Sequence, residues 1–114
     1  MQYAVLIYEN TSAWATLGDD ERKQATARYW TLREEPGVRG GAGLQGADTA
    51  TTVRVQDGET LVTDGPFADT KEVFGGYYLL EADDIDGAIA FATKIPAAQM
   101  GGAIEIRPVV ERAS

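Results

Sequence analysis

The sequence predicts an α+β fold built on one antiparallel sheet with two helices on a single face. Three observations carry the prediction. Residues 3–8 and 76–82 are so consistently apolar that both faces of each strand must be covered. Two helical segments, each led by acidic residues, begin at Asp19 and Asp84. Asp57-Gly58 sits between two β-rich runs, a hairpin signal because both turn positions favour positive φ.

The elements follow in order. Residues 3–8 form the first strand, and residues 10–18 read as a loop around Trp14. Asp19, Asp20 and Glu21 start a helix that runs to about residue 35, where Pro36 and Gly37 stop it. Its apolar stripe is thin: Ala25, Tyr29 and Leu32, with Trp30 at one margin. Residues 38–44, rich in glycine, read as a short bent strand. The hairpin arms are 51–56, with Val53 and Val55 on one side, and 59–63. After the strand at 76–82, Asp84 caps a second helix whose core face is Ile85, Ala88, Ile89, Ala92 and Ile95. Phe91 widens that arc, and Pro96 ends the helix. Residues 97–101 read as a loop, and 103–107 as a final alternating strand that Pro108 marks as an edge or its end.

This β-α-β, hairpin, β-α-β order describes a ferredoxin-like protomer with an inserted β-hairpin, in one domain spanning 1–114 with the first and third core strands at the centre. Two helices cover only one face of such a sheet. The other would expose alternate members of residues 3–8 and 77–80, a larger apolar patch than a monomer leaves in water. The expectation is therefore a homodimer through the sheet face. The other cover, the hairpin folded back over its own sheet, offers only Val53, Val55, Leu61 and Val62.

Composition narrows function. Ten basic against eighteen acidic side chains leave a net charge of −8. That field repels phosphate backbones and anionic leaflets, so neither direct nucleic-acid binding nor a membrane surface is expected. No stretch approaches the roughly 20 apolar residues that cross a bilayer. The N-terminus reads as a strand rather than a leader, which makes a cytoplasmic protein the expectation. The chain has no cysteine and no histidine. Disulfides, thiolate or imidazole metal sites, a cysteine nucleophile and a Ser-His-Asp triad are thereby excluded. No cofactor is expected, because the glycines at 37–46 lack the strand–GxGxxG–helix context and no GK[ST] follows. Asp83, Asp84 and Asp86 read as helix capping rather than as calcium ligands.

The densest polar cluster is Asp64-Gly65-Pro66-Phe67-Ala68-Asp69-Thr70-Lys71-Glu72. Asp64 has two readings. Beside Pro66 and Phe67 a partly desolvated carboxylate becomes a useful base. Alternatively, Asp-Gly-Pro is turn chemistry, with Gly65 at an unusual φ. The turn reading weighs more here, since a perturbed carboxylate needs burial and a partner and neither is visible in the sequence. Lys71 offers an anion anchor and Glu72 an acceptor, unless both are simply solvated. Arg39, among glycines, can hold a carboxylate bidentately or be an exposed strand charge. Tyr29, Trp30, Tyr77 and Tyr78 suit the wall of an aromatic-ligand pocket, although aromatics at those spacings more often form core or a dimer interface.

The run DGPFADTKE, followed by FGGYYLLEA, resembles the signature of the DGPF group of YCII-related proteins, usually worded DGPFAETKE. Only Asp69 departs from it. The phrases TTVRV and ETLVTDGPF and the tail at 95–108 are similar too, so the resemblance spans nearly the whole chain. It implies a dimeric α/β barrel of ferredoxin-like protomers. It also implies relatives that act on muconate-type ring-cleavage products through a His–Asp pair, and an association with extracytoplasmic-function sigma factors. Without histidine the His–Asp chemistry does not carry over. Two functions remain. One is a non-catalytic module binding a small organic acid or a partner near residues 64–72. The other is a cofactor-free isomerase or lyase with Asp64 as base and Arg39 or Lys71 as oxyanion partner.

Overall fold

Along β1 (Gln2–Asn10) burial alternates: Tyr3, Val5 and Ile7 are buried, and the residues between them are half exposed. The computed structural model describes residues 1–111. Around β1 stand β2 (Val38–Gly43), β5 (Glu72–Glu81) and β6 (Ala103–Pro108), in the order β2-β5-β1-β6 with every pairing antiparallel. β1 and β5, the two strands read as apolar throughout, are central. The fold is α+β, with α2 (Asp19–Arg33) and α3 (Ile85–Ala92) lying over the Tyr3–Val5–Ile7 face. Leu32 of α2, Ala88 and Phe91 of α3, Ile95, and Tyr78 and Leu80 of β5 complete the core. Phe91 meets Tyr78 edge-on, at 5.3 Å between ring centroids and 87° between planes, a favoured aromatic geometry.

Four expectations are corrected. The loop around Trp14 contains α1 (Thr11–Ala15), because the Asn10 side chain accepts hydrogen bonds from the Ser12 and Ala13 N–H groups and caps it. The third core strand starts at Glu72 rather than Gly76, since Phe74 and Val73 pair with Tyr8 and Glu9 beyond a register shift. α3 ends at Ala92 and turns its buried side toward Phe91, leaving Ile85 and Ile89 44% and 47% exposed. Pro96 does not merely stop a helix: it opens α4 (Pro96–Gln99), where its missing N–H costs nothing. Asp84 caps α3 as expected, accepting from the Gly87 N–H at 3.1 Å.

β3 (Thr51–Gln56) and β4 (Glu59–Asp64) pair with each other in a separate two-stranded ladder. Asp57 and Gly58 sit at φ 51° and 78°, the two positive values that a tight hairpin turn requires. The arm stands off the body. Val53, Val55, Leu61 and Val62 are exposed, and the radius of gyration, 16.0 Å, exceeds the about 13 Å of a compact chain this long. It does not fold back over its own sheet. The face opposite the helices thus carries Ala4 beside Leu79, Leu6 beside Tyr77, and Tyr8 beside Phe74, none of them buried. Among the described residues no helix is long and apolar enough to cross a membrane.

Candidate functional site

α2 buries one residue fully, Leu32. Toward its middle it leaves a gap above the sheet, where three inward positions of the strands beneath it, Gly41, Gly43 and Gly76, have no side chains. Gly41 and Gly43 of β2 stand opposite Tyr78 and Gly76 of β5, on the helix-covered face. At Gly41 the reason is close approach: with φ 151°, a Cβ there would run into the Tyr77 carbonyl oxygen. At Gly43 a Cβ would meet only open space. The result is a cavity of about 480 Å³ between α2, the β2–β5 end of the sheet and α1.

Aromatic residues line it: Trp14 from α1, Tyr29 and Trp30 from α2, and Tyr78 from β5, while Phe74 and Tyr77 border it from strand positions that pair on the opposite face. Two charged side chains reach its lining, Glu9 from β1 and Arg33 from α2. The Arg33 guanidinium lies 5.8 Å from the centre of the Trp30 ring, a cation–π distance.

The polar groups form a short chain. The Ala97 N–H donates to the Tyr29 hydroxyl at 3.2 Å, and that hydroxyl faces Glu9 Oε1 at a long 3.4 Å. The Tyr78 hydroxyl donates to the Tyr29 carbonyl oxygen at 2.6 Å, tying α2 to the sheet. Burial raises the Glu9 carboxyl above its usual range, and the bond from Tyr29 only partly offsets it. Burial, then the nearby Glu9 charge, lifts the Tyr29 phenol well above its ordinary value. Tyr78 is pushed up to about 12 by burial, against the pull of Arg33. Both phenols therefore stay protonated at neutral pH and act as hydrogen-bond donors.

The structure brings four of the sequence-predicted site residues together: Tyr29, Trp30, Tyr77 and Tyr78 are among the residues that line the cavity. The others lie outside that lining. Asp64 is exposed at the end of β4, and its turn is clasped through Gly65 (φ 104°), whose N–H donates to the Ala50 carbonyl while its own carbonyl accepts from Thr52. Phe67 is 79% exposed, and Lys71 and Glu72 are exposed as well. Arg39 is the extra residue of a bulge between the Val38 and Gly40 pairings, and it faces solvent. Sequence reasoning missed Glu9, Trp14 and Arg33. For Glu9 a signal existed: it continues the inward phase of Tyr3, Val5 and Ile7, so a carboxyl at the strand end was bound to point beneath the helices.

Comparison with known proteins agrees with this architecture. 5-Chloro-2-hydroxyhydroquinone dehydrochlorinase from Burkholderia phenoliruptrix AC1100, solved in complex with 2,5-dihydroxybenzoquinone, matches with a TM-score of 0.55. That match covers 98% of this chain and 96% of the other at 16% identity, a likeness of fold. An uncharacterized protein of Rhizobium meliloti (strain 1021) is 38% identical over 114 residues, covering 96% of this chain and 92% of its own length. The family model for the YCII-related domain matches residues 1–113, and the chain belongs to that family.

Proposed function

We propose that this protein binds a small planar organic acid in the cavity under α2, as a ferredoxin-like protomer paired with a second copy through its bare sheet face. The observation that carries the reading is the glycine floor beneath an aromatic-walled hollow of about 480 Å³, a size and lining typical of small-ligand sites. The fold neighbour with a planar quinone bound supports the ligand class. The row of Leu6, Tyr8, Phe74, Tyr77 and Leu79 left uncovered supports the pairing.

Both tryptophans of the chain line the cavity, so intrinsic fluorescence reports on its contents. Titration with benzoate should quench saturably, and titration with succinate should not. Gly43→Leu fills the hollow without backbone strain and should abolish the response in a protein that remains folded. Wild-type protein with no saturable change for any ring-bearing acid overturns the reading.

A second reading, a cofactor-free isomerase or lyase, draws support from the neighbour's being a dehydrochlorinase. Asp64, exposed at the end of β4, lies outside the cavity lining. The sigma-factor association implied by resemblance draws no support from the site or its relatives, and is not part of this reading.

A further inference from the structure

Glu9 is placed with more care than a stray surface carboxylate needs. It sits on the helix-covered face next to three buried apolar residues, at the point where the β1–β5 register shifts. The shift leaves Gly75 unpaired between Gly76 and Phe74, and bulges of this kind re-aim side chains. A Cβ on Gly75 would come within 2.9 Å of Glu9 Cδ and 3.0 Å of its Oε2, so the missing side chain is what makes room for the carboxyl. The Tyr29 hydroxyl, held from behind by the Ala97 N–H, has its proton free for Glu9 Oε1. Among the described residues no cation pairs with Glu9 within 4.0 Å. The cavity's one lining cation, Arg33, is on α2 beside Trp30.

We infer that Glu9 is the hydroxyl-recognising group of this cavity. Its ligand is then a planar ring with a hydroxyl at the Glu9 end and an anionic oxygen at the Arg33 end. The inference deepens the proposed function and rests on the cavity being the binding site. A carboxylate with one oxygen held by Tyr29 keeps acceptor capacity on the other, and an O–H donor on a ring satisfies it with a charge-assisted bond. A second anion at that end would be repelled. Among the described residues the titratable groups near Glu9 are few: Tyr29 from α2 directly, with Tyr77 and Tyr78 from β5 and Arg33 from α2 in the same lining. Trp14 of α1, Ala97 of α4 and Met100 just after α4 lie around it and do not titrate.

The test compares 4-hydroxybenzoate with benzoate by calorimetric titration of the intact protein. Wild type should prefer the hydroxylated acid by about tenfold or more. Glu9→Gln, an isosteric change, should remove the preference, bringing the affinities for the two acids together. Gly75→Ala, which keeps the carboxyl but displaces it, should also weaken the preference. In wild type the affinity ratio should fall as the solution is made mildly acidic and Glu9 takes up a proton; in Glu9→Gln it should be flat with pH. If both acids bind wild type equally, or the preference survives Glu9→Gln, the role of Glu9 is overturned while the cavity stands. If neither acid binds, the cavity reading falls and takes this inference with it.

Discussion

Gly75 and Glu9 are so close that one methyl group on the glycine would stand 2.9 Å from the carboxyl carbon. The atoms it would meet belong to the free end of a long side chain, which can swing aside. Gly75→Ala should therefore change stability by no more than about 1 kcal/mol while moving the carboxyl out of its slot. Denaturant unfolding checks the first half of that statement, and ligand selectivity the second.

The glycines of β2 are not equivalent. Gly41 has φ 151°, and its missing Cβ is the space occupied by the Tyr77 carbonyl, so Gly41→Ala should cost about 1–3 kcal/mol. Gly43 has open space above it, and a larger residue there gains strand propensity. Gly43→Leu should be neutral or stabilising by up to about 1 kcal/mol. Chemical denaturation of the two variants side by side separates backbone constraint from cavity formation.

Leu32 is the fully buried anchor of α2. Its truncation to alanine should cost about 2–5 kcal/mol, since the strands beneath cannot collapse into the gap. Because α2 is also the roof of the cavity, Leu32→Ala should weaken benzoate binding as well as stability. Equal affinity in a destabilised protein would show that the roof is held by ties other than Leu32, such as the Tyr78–Tyr29 and Ala97–Tyr29 bonds.

Glu9 makes stability depend on pH in a definite direction. Burial raises its folded-state pKa above the unfolded value, so between those two values the folded protein binds more protons than the unfolded chain. Stability contributed at this site is therefore lost as pH rises through the folded pKa, and recovered on acidification. Glu9→Gln removes the penalty. It should be more stable than wild type at neutral pH, and the gap should close below the ordinary glutamate range. Thermal unfolding of both proteins across pH tests the sign.

The uncovered sheet face sets the last prediction. Leu79 lies beside Ala4 in the apolar row opposite the helices and is only half exposed, so its replacement need not disturb the helix-side core. Wild type should sediment and scatter as a dimer, and Leu79→Lys as a folded monomer. A monomeric wild type at high concentration would remove the paired arrangement.

What could be read from the sequence was whatever is encoded within a few residues. Asp57-Gly58 dictates its turn because two adjacent positions need positive φ. Asp84 caps α3 through an N–H three residues on. The two strands apolar on both faces had to be central. The short helices α1 and α4 escaped because neither is long enough to show a period. The DGPF motif drew attention to Asp64, which the fold places on an exposed turn, outside the cavity lining.

Tertiary structure alone decided the rest. Which side of α3 is buried depends on Tyr78 waiting across the core for Phe91, not on the helix's own periodicity. The cavity exists because glycines of two different strands fall opposite one another beneath a sparsely apolar helix, a coincidence of register invisible along the chain. Glu9 becomes a site residue only where the bulge at Gly75 opens beside it. Local physics selects the elements; how distant elements meet selects the chemistry, because burial and proximity are properties of the packed molecule.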